Sequence, residues 1–223
     1  MSFILNIETA TKNCSVSIAK DGQTIVCSEL SDEGYSHAEK LHVFIEEVIA
    51  KAGISVHELK AVAVSQGPGS YTGLRIGVSA AKGLCYALNI PLIAVDTLQT
   101  LASQAGVADG KIIPMLDARR MEVYSAIFNS DLTLERVIKA EIIDENSFQE
   151  YTDKLYFVGD CADKCKPVLT KDNFVFLENI KYPSAQAMSK ISFDKYQKSD
   201  TVDVAYFEPY YLKDFMIAPP KKQ

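Results

Sequence analysis

The chain has 223 residues, 48% of them hydrophobic, and a formal charge of −6 at neutral pH. That is enough apolar material for one large core or two modest ones, with no apolar run long enough to span a membrane, and an acidic balance of the wrong sign for a surface that grips a nucleic-acid backbone itself. Five scattered cysteines form no disulfide framework and the start has no secretory pattern, so a reducing cytoplasm is the expected setting.

Taken in order, Phe3–Glu8, Asn13–Lys20 and residues 23–30 read as three strands, with Asp21-Gly22 as the hairpin turn between the second and third. Leu41, Phe44, Ile45, Val48 and Ile49 recur at helical spacing, which predicts an amphipathic helix over His37–Ala52, stopped by Gly53. Ser55-Val56-His57-Glu58 has the pattern of a capping box before a short β-branched strand at 61–65. A helix over 72–89 follows, capped by Ser70 or Thr72, then a strand at 91–95 and a helix from 97 to about 105.

The pattern then restarts. An apolar strand at 112–117 ends in Asp117, and after a short turn an alternating strand runs over 121–128, so that Glu8 and Asp117 close equivalent strands. A strand at 133–143, a helix at 145–151, a strand at Leu155–Val158 and a helix at 160–169 continue the repeat. The expected architecture is a duplicated two-domain α/β fold, with a first unit over 1–105 and a smaller second unit over 106–223. A short strand at 174–177 and a helix at 184–197 precede an aromatic tail, 206–223, expected to pack back on the first unit.

Between strand 61–65 and helix 72–89 stands Gly67-Pro68-Gly69-Ser70-Tyr71-Thr72-Gly73-Leu74-Arg75-Ile76-Gly77. Its glycines miss the dinucleotide spacing by one residue, no Gly-Lys-Ser/Thr ending is present to hold a triphosphate, and the Gly-x-Ser-x-Gly elbow of serine hydrolases is missing. The plain reading is a tight turn with close helix packing. The other is a residual nucleotide or anion site built from Glu8, Thr9, Gly67, Gly69, Ser70 and Asp117. On the helix itself only Arg75 and Lys82 carry charge, and a helix without a polar face is covered on more than one side. Together with the outer side of helix 37–52 it predicts a helical interface using Leu41, Ile45, Thr72, Gly73, Arg75, Gly77, Val78, Ala80, Lys82, Gly83 and Tyr86. The small residues would let a partner backbone approach, and Val78 and Tyr86 would supply buried area. The same patch pairing with itself would give a homodimer of the isolated chain.

Catalytic patterns are sparse. Glu8 and Asp117 are of the right type to hold magnesium, but the hairpins that follow them lack glycine, and Arg119 and Arg120 stand where a phosphate would approach. The plain reading of both acids is strand-end polar residues facing a solvated cleft. His37 and His42 are five apart, do not stack as a metal pair, and are expected at the surface; Cys161 and Cys165 read as ordinary packing. No His-Glu-x-x-His is present, and no catalytic residue or metal site is predicted.

The string from Gly67 to Gly77 is similar, nearly letter for letter, to the signature of the bacterial TsaB (YeaZ) family. The opening Phe3-Ile4-Leu5-Asn6-Ile7-Glu8-Thr9-Ala10-Thr11 and the closing Pro209-Tyr210-Tyr211-Leu212-Lys213 resemble that family's ends. This resemblance implies an actin-like, Hsp70-like fold and a non-catalytic role in making threonylcarbamoyladenosine beside the tRNA anticodon. It implies as partners a paralogous catalytic subunit, TsaD, and the ATPase TsaE, with TsaC supplying threonylcarbamoyl-adenylate and tRNA met indirectly through the complex. No intrinsic cofactor is implied; ATP or ADP and magnesium would enter only within that complex. The catalytic paralogue carries a His-x-x-x-His motif soon after its version of the loop and helix, whereas residues 86–100 here contain no histidine, so its metal and transfer chemistry are not carried over. The alternative is an ATP-dependent actin-like enzyme using Glu8 and Asp117 with magnesium and the Gly69 loop.

Overall fold

The computed structural model describes residues 1–31 and 37–212; Lys213 and the remainder of the expected tail to residue 223 lie outside the described residues. Strands β1 (Phe3–Glu8), β2 (Asn13–Lys20), β3 (Gln23–Ser31), β4 (Leu59–Gly67) and β5 (Leu92–Asp96) form one sheet in the order β3-β2-β1-β4-β5. Strands β6 (Lys111–Asp117), β7 (Glu122–Asn129), β8 (Leu134–Ile142), β9 (Leu155–Val158) and β10 (Phe174–Phe176) form a second, in the order β10-β9-β6-β7-β8. Read outward from β1 and from β6 the two sheets match: an antiparallel meander on one side and two parallel strands on the other. This is a duplicated α/β actin-like fold.

The sequence explains why the centre of the first sheet forms. β1 and β4 are buried along almost all of their length, with apolar runs at Phe3–Leu5 and Ala61–Val64, as parallel strands covered on both faces must be. The Asp21-Gly22 turn has both residues at positive φ, 49° and 84°, the twist a tight hairpin needs. Helices α1 (His37–Ala52) and α2 (Tyr71–Leu88) cover one face through Leu41, Ile45, Val48, Val78, Ala81 and Cys85. Helix α3 (Thr97–Ser103) is wedged between the sheets, where Leu98, Leu101 and Ala102 meet Ile112, Leu116 and Phe128. Its start is fixed by Asp96, whose carboxylate accepts from the amides of Leu98 and Gln99 at 2.8 and 3.0 Å. The capping box at Ser55 and Glu58 forms, opening a single 3-10 turn before β4.

Helix α5 (Ala185–Gln197) comes after the second sheet in sequence and lies on the first, although it falls within the range 106–223 expected to form the second unit. Polar residues on β2 and β3 receive it: Ser17 Oγ donates to the Ala185 carbonyl (2.8 Å), the Ala185 amide donates to Ser15 Oγ (3.0 Å), and Ser184 Oγ donates to Glu29 (2.7 Å). Residues 202–212 also return to the first sheet. The Val202 amide donates to the Leu92 carbonyl, Val202, Val204 and Phe207 join the first core, and Tyr210 donates to the Gln66 carbonyl.

Two expected helices change. Residues 145–151 are a run of turns, because Asp144 Oδ1 accepts from the Asn146 amide and from Ser147 Oγ, local bonds that compete with a helical ladder, and Phe148 has φ +61°. The helix expected at 160–169 shrinks to the four residues of α4 (Ala162–Cys165), since Pro167 has no amide to continue it.

Candidate functional site: the α1–α2 groove and the cleft between the sheets

The glycine-rich string is organised by contacts inside the chain. Gly67, at φ +116°, has no room for a side chain: a Cβ would lie 2.6 Å from the Tyr210 carbonyl oxygen. At Gly69 the obstacle is the Ala10 carbonyl oxygen, 2.3 Å away, which also accepts from the Ser70 amide at 2.7 Å. At Gly73 and Gly77 it is Thr9, whose carbonyl oxygen would lie 2.1 Å from one Cβ and whose Oγ1 would lie 2.3 Å from the other; that hydroxyl donates to the Gly73 carbonyl at 2.8 Å. The amides of residues 67, 70 and 73 are bonded to Thr97, Ala10 and Ser70, respectively, so none of these three is open to an anion. Ser70 caps α2 by accepting from Gly73, and Asn89 ends it in the left-handed conformation.

α2 therefore has two distinct sides. Leu41 on α1, with Gly73, Gly77 and Val78 on α2, faces the chain's own core, which corrects their expected place at a partner surface: the small residues accept the β1–β2 turn instead of a second molecule. Thr72, Arg75, Gly83 and Tyr86 are exposed, Tyr86 at 85%, and Ala80 is half-buried. Lys82 is tied down, donating to the carbonyls of Ala205 and Phe207, both at 3.0 Å. Between the helices runs a groove of about 640 Å³, walled by Ala38, His42, Ile45, Arg75, Ile76, Ser79, Ala80, Gly83 and Leu84. Ala38, His42, Ile76, Ser79 and Leu84 were missed in the sequence reading; the helical period of α1 placed its buried stripe and so, by difference, its outer one. His37 also departs from expectation. It is buried, with Nε2 2.8 Å from the Thr11 carbonyl, and burial lowers its basicity; His42 is exposed.

A second cavity of about 860 Å³ opens between the sheets. Gly69, Ser70 and Asp117 of the expected residual anion site line it, with Lys12, Arg119, Arg120 and the rings of Tyr71, Tyr210 and Tyr211. Glu8, Thr9 and Gly67 do not. Glu8 is fully buried rather than facing the cleft: Oε1 accepts from the Ala10 amide (2.6 Å) and from Ser65 Oγ (3.0 Å), while Oε2 has no partner among the described residues. Burial pushes the Glu8 pKa up to about 7 against the pull of those two hydrogen bonds, and the Asp96 carboxyl adds to the rise. Asp117 is exposed and paired with Lys164, and it accepts from the Arg119 amide at 2.8 Å. The two strand-end acids thus share a topological position without sharing a site, and no cluster of metal-ligating side chains occurs among the described residues. Cys161 and Cys165 are both buried in the second core.

Comparison with known proteins agrees with the signature. A family model described as TsaD, tRNA N6-adenosine threonylcarbamoyltransferase, matches residues 31–177. The tRNA threonylcarbamoyladenosine biosynthesis protein TsaB of Escherichia coli is 32% identical over 222 residues, covering 95% of this chain and 94% of that protein. The crystal structure of a protein with similarity to peptidase YEAZ from Pseudomonas aeruginosa superposes with a TM-score of 0.84 at 23% identity, over 96% of this chain and all of that one. An activator of 2-hydroxyisocaproyl-CoA dehydratase from Clostridium difficile shares the broader fold at a TM-score of 0.50 and 9% identity, over 89% and 96% of the two chains. With the Gly67–Gly77 signature folded as one turn and helix, and a relative matched along almost its whole length, the chain belongs to the TsaB (YeaZ) family, whose members are named for tRNA threonylcarbamoyladenosine biosynthesis.

Proposed function

We propose that this chain is a non-catalytic subunit of tRNA threonylcarbamoyladenosine synthesis that supports a TsaD-type catalytic paralogue, docking it through the α1–α2 groove. The observation that carries this reading is the groove itself, an apolar trough beside a helix that also exposes the Tyr86 ring and whose other side is fully engaged in its own core. The choice of occupant follows from likeness: the TsaD model matches a span that includes both helices, and two paralogous folds presenting the same helix pair can associate about a pseudo-twofold axis. The contact residues are then Ile45, Arg75, Ala80 and Gly83 in the groove, with Thr72 and Tyr86 on the exposed surface of the same helix. In the isolated chain the same face pairs with a second copy.

A TsaE-type ATPase joins the assembly, tRNA is met through the catalytic partner, and the setting is the cytoplasm; no described helix is long and apolar enough to cross a membrane. Buried Glu8 does not line the cleft wall with Asp117, so the pair required by an ATP-dependent enzyme is not assembled there. The domain division falls near residue 105, with α5 and residues 202–212 returned to the first unit.

The test is molar mass by light scattering after size exclusion, for the chain alone and mixed with its cognate TsaD-type subunit. A one-to-one heterodimer is expected in place of a homodimer, and Tyr86→Glu should prevent both. A chain that stays a lone species with the partner present, or a Tyr86→Glu variant that binds as before, would overturn the reading.

A further inference from the structure

Arg75 is the one formally charged side chain among those lining the α1–α2 groove, and it does not stand alone. Its Nη1 donates to the Tyr71 hydroxyl at 2.8 Å, and its guanidinium lies 5.3 Å from the centre of the Tyr71 ring. One turn nearer the start of α2, Tyr71 faces the other cavity, the cleft between the sheets, and there its ring meets that of Tyr211 with centroids 4.9 Å apart. Tyr211 is brought to this point by the returning segment, whose Tyr210 amide donates to the Gln66 carbonyl at 2.7 Å. The three side chains form one stack from cleft to groove. The Tyr211 hydroxyl registers both neighbours: burial and then Tyr71 hold its proton more tightly, and Arg75 acts the other way.

An exposed arginine on a helix normally samples many rotamers, and ordering it at the moment of binding costs side-chain entropy. Held against a ring that is itself held, the guanidinium is ordered beforehand. Among the described residues its side chain makes no other hydrogen bond, so the remaining N–H groups are available to an acceptor, and the matching group for a planar guanidinium is a carboxylate. We propose that Tyr211, through Tyr71, positions Arg75 to receive a carboxylate of the TsaD-type partner in the groove. This rests on the docking reading above. Tyr71 and Tyr211 are positioning residues, and the cleft and the groove are joined through them.

The experiment is titration calorimetry of the full chain against its cognate TsaD-type subunit. Tyr211→Ala is expected to weaken binding about five-fold or more, and Tyr211→Phe, which keeps the ring, to restore it. Tyr71→Phe, which keeps the stack and removes only the hydroxyl, should weaken binding about two- to five-fold at unchanged melting temperature. In an Arg75→Ala background Tyr211→Ala should have no further effect, which a general loosening of the C-terminal segment would not reproduce. Equal losses with and without Arg75, or a Tyr211→Ala affinity within two-fold of the parent, would overturn the proposal. If Tyr86→Glu also left binding unchanged, the docking reading would fall with it; if Tyr86→Glu abolished binding, only the positioning role would be lost.

Discussion

The two halves of the molecule have the same sheet and different coverings. Between β3 and β4 the first half inserts the sixteen-residue α1, and between β4 and β5 the eighteen-residue α2. At the matching places the second half has a run of turns and the four-residue α4. Strand order is preserved because each strand pattern requires it, whereas helices can be lost wherever a few side chains suffice to cover the core. In the second half that cover is compact: Phe157 stacks with Phe176 at 4.9 Å and meets Phe148 and Phe174 edge-on. Long helices remain on the half that carries the α1–α2 groove.

The largest effect should come where the halves are most alike. Gly67 at the end of β4 and Gly159 just after β9 both have left-handed backbone, φ +116° and +125°, and at Gly159 a Cβ would lie 1.9 Å from the Met115 carbonyl oxygen. Gly67→Ala and Gly159→Ala should each destabilise the chain by about 3 kcal/mol in urea unfolding. A Gly159 variant as stable as the parent would break the equivalence of the two turns.

The next effect separates the halves at their equivalent acids. Folded Glu8 holds its proton up to about pH 7, and the unfolded chain releases it near 4.5, so this group's contribution to stability falls as pH rises between those values and is level above them. Glu8→Gln should therefore remove about 2 kcal/mol of the decline measured between pH 5 and pH 8. Asp117→Asn removes a surface ion pair and should change stability by about 1 kcal/mol or less. Matching pH profiles for the two variants would contradict the difference in burial.

The smallest effects lie along α2. Ser70→Ala should cost about 1 kcal/mol by removing the cap. Gly83→Ala should stabilise the helix by somewhat less than about 1 kcal/mol, because nothing lies within 4 Å of the added methyl group. Thermal melts of the two variants shifting in the same direction would show that the outer side of α2 is not the open surface described.

Much of this was legible in the sequence because it is local. Ser70 and Asn89 bracket α2, Asp21-Gly22 marks its hairpin, and the restart at Ile112 reveals the duplication. The inner side of α2 was not legible, because glycine looks the same whether it admits a partner or a loop of the same chain. What Gly73 and Gly77 accept is Thr9, more than sixty residues earlier, and no periodicity within the helix records that distance. The burial of His37 likewise depends on the Thr11 carbonyl, and the cleft and groove are joined through Tyr211, far along the chain from Arg75. Helix 145–151 failed for the opposite reason: the Asp144 and Ser147 side chains capture nearby backbone and hydroxyl groups at shorter range than the apolar pattern can act.

The bridge from Val202 to Leu92 is a single antiparallel contact on the outer edge of β5. An uncovered edge strand is a template for another chain, and the row Leu92–Asp96 is almost wholly apolar. By pairing Val202 with Leu92, the returning segment occupies one position of that edge and makes it a less regular template. A chain cut before Val202 should therefore lose core contacts as well as this cover, and light scattering at rising concentration should show it aggregating where the full chain does not.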